Sequence, residues 1–452
     1  MSRLSPLFAL VALGLAAAAC GRGTAQRDAA PEPAAPTAAA RAGGPERPAG
    51  APAAGKWRQA RPDSATPAPT AGLDEGAAAA LLANPYLQGY RRAQAGPTIP
   101  RHDPASAWAG INLYVSGHAP EAFLVDMSGR VLHRWRYDLR RLWPDLYEGE
   151  GAKTIPKLEY WRRAALLPGG GLLAIYEGLG LVRLDRDSRL VWAYRGGAHH
   201  DLFVDAEGAI WVLDRRLRKV RGGADVLEDL VTILSPDGQP LRQISILDAF
   251  ARSPYAPLLA GLEPGPDILH TNTLEALGPA ASAAGVPAFR PGSLLLSVLK
   301  LDVVAVLDPQ SEAITWALGG LWRRQHQPTL LPSGRLLVFD NVGRDFRSRV
   351  VEVEPATQRV TWSWPDPPSV DALFSRTLGS CQRLPNGNTL ITESENGRAL
   401  EVTPEGEVAW EMRSPHRAGE QGELVATLFE VVRLPASAGP PAWAPAADGQ
   451  IE

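Results

Sequence analysis

From about residue 111 onward one pattern recurs: a short apolar run, a turn rich in Pro and Gly, and a second apolar run. It stands at residues 164–176 around Leu167-Pro168-Gly169, at 327–339 around Leu331-Pro332-Ser333-Gly334, and at 382–392 around Leu384-Pro385-Asn386-Gly387. A second hairpin follows, with an acidic or polar turn and an outer run ending at Trp135, Trp192, Trp316, Trp362 or Trp410; residues 231–246 fill the same place without tryptophan. Runs too short for helices, bounded by turn signals at close spacing, predict antiparallel strands. Four strands per repeated unit predict an all-β fold, a six-bladed β-propeller over residues 111–435, with five or seven blades as alternatives. The last run, 424–434, lacks a partner of its own. Pairing it with the short first unit, 111–135, closes the ring and removes an open edge. Residues 139–160 and 247–269 read as insertions, the second partly helical.

The N-terminal quarter has a different texture. Arg3, an apolar run from Leu7 to Ala19 and small residues before Cys20 form an export signal over residues 1–20, too short to span a bilayer permanently. Small residues ending in cysteine resemble a bacterial lipoprotein signal, with Cys20 lipidated, although the usual leucine three residues earlier is missing. Residues 21–75 are dominated by Ala, Pro and Gly and predict a disordered tether. Residues 76–110 predict a short, partly helical lead-in, and 436–452 a disordered tail. The chain is then expected at the periplasmic face of a bacterial membrane, held through a lipid anchor, or free in the periplasm.

Composition narrows the partners. Of 452 residues 45% are apolar, ample for one large globular core, and the net charge of −3 favours neither nucleic acid nor an acidic surface. If Cys20 carries lipid, Cys381 has no disulfide partner, so packing alone holds the domain.

Four of the eight histidines stand in three segments that open first strands of the repeat: His199-His200-Asp201, His270-Thr271-Asn272 and Gln325-His326-Gln327. The start of one strand and the end of its antiparallel partner lie at the same end. That rule brings His199, His200, His270, Asn272 and His326 to one mouth with Asp340, Asn341 and Arg344, and in the last unit adds Ser380, Cys381, Glu393 and Arg398. Imidazoles beside a guanidinium suit a tetrahedral oxyanion, since all donate hydrogen bonds. Zinc is the rival, three imidazoles being a common ligand set. Arg344 would repel a dication and no carboxylate-rich spacing is evident, so no metal and no cofactor are expected.

With these motifs, and with Trp316-Ala317-Leu318-Gly319-Gly320, the chain from about residue 110 resembles the bacterial arylsulfotransferase family, periplasmic six-bladed propellers that move sulfuryl groups between phenols. The resemblance implies an aryl sulfate and a phenol as small-molecule partners. It implies that His270, His326 and Arg344 are catalytic, binding sulfuryl oxygens and stabilising the leaving phenolate. His199, His200, Asn272, Asp340, Asn341 and Arg398 would bind substrate. The family also uses a last-blade histidine that is transiently sulfated, whereas residues 380–412 contain none and Thr392-Glu393-Ser394-Glu395-Asn396-Gly397-Arg398 stands at that mouth. Transfer through Cys381 or directly between two phenols is one expectation. A non-catalytic lipoprotein that binds an anion, or an envelope scaffold, is the other.

Overall fold

The computed structural model describes Gly89 and residues 91–439, apart from 149–151, 153–154, 220–224, 264 and 344–345. The expected signal, Cys20, the tether, Arg344 and the tail beyond 439 lie outside the described residues. None of the described helices is long and apolar enough to cross a membrane.

The described chain is mostly β, with few short helices. Six antiparallel sheets carry the repeat. Sheet 1 orders Leu428–Leu434, Ile111–Ser116, Glu121–Val125 and Val131–Arg136. Sheet 2 holds Trp161–Leu166, Leu172–Tyr176, Gly180–Leu184 and Leu190–Arg195, and sheet 3 Leu202–Val204, Ile210–Lys219, Asp225–Leu234 and Pro240–Ser245. Sheet 4 is Thr271–Ala276, Leu294–Val298, Val303–Asp308 and Ala313–Gly319; sheet 5 is His326–Leu330, Leu336–Asp340, Arg349–Glu354 and Arg359–Trp364. Sheet 6 is Ser380–Arg383, Thr389–Glu393, Arg398–Val402 and Val408–Arg413, extended by Arg101–His102 on its outer edge. The C-terminal strand thus pairs with Ile111–Ser116, from Leu428↔Ser116 to Leu434↔Ile111. Leu424–Val425 instead pairs with Arg91–Arg92 in a small separate sheet. The lead-in therefore contributes two two-residue strands and, among its described residues, no helix.

Burial explains the two hydrophobic textures of the repeat. Second strands such as Leu172–Tyr176 and Leu336–Asp340 are buried at every position, because neighbouring sheets cover both faces; outer strands such as Leu190–Arg195 alternate because one face meets water. The recurring tryptophans tie the outer strands of sheets 1, 2, 5 and 6 to the next sheet. Trp135 Nε1 donates to the Gly170 carbonyl (3.1 Å), Trp192 Nε1 to Pro236 (3.0 Å) and Trp362 Nε1 to Pro404 (3.0 Å). Trp410 Nε1, on sheet 6, donates to Met127 of sheet 1 (2.9 Å). Gly334 turns the sheet 5 hairpin at φ +77°, where a Cβ would stand 2.2 Å from the Ala283 backbone.

First strands are irregular where they begin. Register shifts fall between Trp161 and Arg163, Thr271 and Thr273, His326 and Thr329, and Leu428 and Glu430. His200, His270 and Gln327 have positive φ (53°, 51° and 46°) although none is glycine. Bulges and left-handed residues re-aim side chains out of the pleat, and they repeat here at one end of the sheets.

Candidate functional site

The bulges gather a polar cluster at the strand starts. His200 lies edge-on to His270, ring centroids 4.9 Å apart, and edge-on to His199 at 5.1 Å. Arg162 and His270 both depress the basicity of His326, so these groups share one electrostatic neighbourhood. Arg162, at the sheet 2 bulge, is only 7% exposed and lies over the Phe429 ring at 5.1 Å. Among the described residues its guanidinium makes no hydrogen bond. A buried cation without a hydrogen-bonding acceptor is costly, and here burial lowers its basicity against the nearby charge of Glu177.

The tautomer of His326 follows from its partners. Asn341 Nδ2 donates to the carbonyls of Ser375 (2.9 Å) and Leu378 (2.5 Å), which leaves Asn341 Oδ1 facing His326 Nδ1 at 2.8 Å. The Arg324 carbonyl faces the same nitrogen at 3.0 Å. Two acceptors require Nδ1 to carry the proton, so Nε2 presents a lone pair. Burial, with Arg162 and His270 adding to it, pushes the His326 pKa down to about 3, against the bond to Asn341. The imidazole is therefore neutral at pH 7. A lone pair cannot donate to a sulfuryl oxygen, the role that the family resemblance implies for His326; it can attack sulfur.

His270 is built differently. Its Nδ1 is bound to the Asp267 carboxylate, its side chain is 26% exposed, and Nε2 makes no hydrogen bond to another described residue. Burial would raise the Asp267 pKa, but His270 and Arg215 beside it hold the carboxyl well below the usual range. A carboxylate-oriented imidazole with its other nitrogen partly open to solvent is the arrangement of a general acid and base.

Behind these, His199 is fully buried. Its Nε2 faces the Asp214 carbonyl at 3.3 Å and the Asp229 carboxylate at 3.6 Å. Its Nδ1 lies 2.9 Å from His200 Nδ1, and Glu177 Oε1 lies 3.3 Å from that same His200 nitrogen. Glu177, His199 and His200 bring three ligand-type atoms within 4.8 Å of one another, so these three could hold a metal ion.

The remaining expected site residues serve the fold. Asn272 Nδ2 donates to the Gln325 carbonyl (2.9 Å), strapping sheet 4 to sheet 5. Asp340 accepts from the Arg323 and Gly343 backbones (2.9 and 3.0 Å) and from Arg349 Nε (3.0 Å). Arg398 donates to Glu393 (2.6 Å) and to the Ala372 carbonyl (2.7 Å). Asn341 positions His326. Cys381 is buried, its Sγ 3.6 Å from the Gln327 carbonyl, and burial pushes its thiol far up, so it is no thiolate nucleophile.

Two important groups escaped the sequence reading, Arg162 and Glu177. Glu177 follows Tyr176 in sheet 2 as Asp340 follows Phe339 in sheet 5, and Arg162 lies in the bulge one residue past Trp161, whose register position matches that of His326. Applying the strand-end rule to residues 161–177 would have found both.

A family model described as Arylsulfotransferase (ASST) matches residues 163–415, more than half of the chain. The chain belongs to the arylsulfotransferase family. The match ends one residue before His416 and takes in every histidine of the cluster. No curated protein matches this arylsulfotransferase-family chain. Among solved structures it is similar to a protein of unknown function from Bacteroides caccae, at 11% identity and TM-score 0.45, covering 72% of this chain and 98% of that one. It is also similar to the Cps50 (Swd1) β-propeller domain of Myceliophteria thermophila (12% identity, TM-score 0.41, 73% and 100% covered). A third is the WD40 β-propeller domain of Doa1 (10%, 0.39, 76% and 96%). At such scores no property of these proteins transfers to the arylsulfotransferase-family chain.

Proposed function

We propose that the six sheets close into a six-bladed propeller whose mouth transfers a sulfuryl group from an aryl sulfate to a phenol, with His326 as the group that is transiently sulfated. The closed ring is supported by the pairing of Leu428–Leu434 with Ile111–Ser116 and by the Trp410–Met127 bond between sheets 6 and 1. The observation that carries the chemistry is the fixed tautomer of His326: a neutral Nε2 lone pair in the field of a buried arginine, Arg162, that has no hydrogen-bond acceptor among the described residues.

In the first half-reaction Nε2 of His326 attacks sulfur. The N–S bond forms as the S–O bond to the donor breaks, and the electron pair leaves on the phenolate oxygen. His270 Nε2 gives that oxygen a proton. In the second, an acceptor phenol returns a proton to His270 and attacks the sulfur of the sulfohistidine, and the N–S electron pair returns to His326. Arg162 balances the sulfuryl oxygens, a role that electrostatic stabilisation in a desolvated site makes valuable. The absence of a last-blade histidine then needs no thiol substitute. In the cell, the protein works at the periplasmic face of the membrane, held by lipid on Cys20.

Initial rates of phenolate release from an aryl sulfate at several phenol concentrations test this. Parallel double-reciprocal lines are expected. Binding of the aryl sulfate without release would instead make this a non-catalytic anion-binding lipoprotein.

A further inference from the structure

The Glu177–His199–His200 cluster has one proton too few for its lone pairs. His199 Nε2 faces two acceptors, the Asp214 carbonyl at 3.3 Å and the Asp229 carboxylate at 3.6 Å, so it carries the ring proton and Nδ1 is a lone pair. Glu177 Oε2 accepts from the His200 backbone N–H at 3.1 Å, which aims Oε1 inward. Both the His199 Nδ1 lone pair and Glu177 Oε1 converge on His200 Nδ1, at 2.9 and 3.3 Å. One Nδ1 proton cannot satisfy both: a charge-assisted N–H···O bond is normally about 2.7–2.9 Å long, and the carboxylate stands farther off. All three residues are buried, and His200 holds a positive φ of 53° to reach this position.

We infer that Glu177, His199 and His200 bind a divalent transition-metal ion, of which zinc is the type, through one carboxylate oxygen and two imidazole Nδ1 atoms. The donor set is two nitrogens and one oxygen, the composition of an open zinc site with its fourth position left for solvent or an anion. Tetrahedral neighbours around an ion with bonds of about 2.0–2.2 Å stand roughly 3.3–3.6 Å apart; the Glu177–His200 separation of 3.3 Å meets this, and the 2.9 Å between the two histidine nitrogens widens on binding. Outer contacts already orient the ligands: the Asp214 carbonyl and the Asp229 carboxylate fix the His199 tautomer, as such groups do behind zinc-binding histidines. Arg162, Arg215 and a protonated His270 oppose a dication, and the three carboxylates around the same rings, Glu177, Asp229 and Asp267, offset them. On binding, the His200 proton moves from Nδ1 to Nε2 and no proton need leave the site.

This inference does not depend on sulfuryl transfer, and its test does not measure it. The full chain, without a histidine tag, is stripped with chelator, dialysed and titrated with zinc chloride. About one ion per chain should bind, with a rise in Tm that chelator reverses. Cobalt(II) should bind at the same stoichiometry with the visible absorption of a low-coordinate site. Glu177→Gln and His199→Ala should lose the ion, whereas His118→Ala, away from the cluster, should keep it. If the two cluster variants fail to fold, the wild-type stoichiometry and chelator-dependent Tm decide alone. No zinc uptake and no Tm change in the wild-type protein, or full uptake by folded Glu177→Gln, would overturn the assignment.

Discussion

The mouth ends of sheet 5 and sheet 6 are built on the same plan and do different work. In sheet 5 the residues at the end of the second strand, Asp340 and Asn341, use all their polar atoms internally, but Asn341 does so by fixing His326 with one nitrogen left over. In sheet 6 the equivalent stretch closes on itself. Glu393 accepts from the Phe374 backbone, Asn396 and Arg398, and Arg398 spends its other contact on Ala372. Position at the mouth is therefore not sufficient for chemistry. What distinguishes the side chains proposed to react is an atom that makes no hydrogen bond among the described residues: Nε2 of His326 and His270, and the guanidinium of Arg162.

Substitutions can break this contrast. His326→Ala should lower phenolate release by about three orders of magnitude or more, the scale seen when a nucleophile is removed from a concerted set. Asp267→Asn, which removes the orienting carboxylate from His270, should lower kcat roughly 10²-fold and alter the pH–rate profile. Arg162→Ala should cost about 1.5–3 kcal/mol of transition-state binding, roughly 10- to 150-fold in kcat/KM. Arg398→Met should barely change the kcat of the folded protein, yet cost about 3 kcal/mol in denaturant unfolding, because Glu393 is left buried without its cation. A large loss of kcat in Arg398→Met with unchanged stability would erase the distinction between the two mouths.

A smaller effect concerns acid. His326 and His416 are each driven to a pKa of about 3, chiefly by burial, from an ordinary value near 6.5. Between those values each takes a proton only when the chain unfolds. Their stabilising contribution is therefore full above pH 6.5 and declines as pH falls toward 3, by about 1.4 kcal/mol per pH unit for each group. Glu275, raised to about 8 by burial, runs the other way, stabilising at low pH and losing that contribution as pH rises through 4.5 to 8. Replacing His326 with Asn should flatten the acid limb of stability against pH by about one proton.

The strands were legible because their apolar runs are bracketed by Leu-Pro and Gly turns, and the histidines because each directly precedes such a run. The lead-in was not, since strands of two residues, Arg91–Arg92 and Arg101–His102, leave no periodicity to read. Arg162 was hidden inside Trp161-Arg162-Arg163, where a bulge decides which arginine meets the mouth. Arg163 turns instead to Asp201 (3.0 Å) and Glu430. The tautomer of His326 was beyond sequence altogether, because it depends on where Asn341 Nδ2 finds its carbonyls, 34 and 37 residues farther along.

The most direct test of the central claim is to mix the protein with an aryl sulfate in the absence of phenol, quench without acid and map added sulfuryl mass by peptide. The modification is expected on His326, absent in His326→Ala and discharged when phenol is added. Sulfuryl mass on His416 or Cys381, or robust transfer with His326 unmodified, would contradict it.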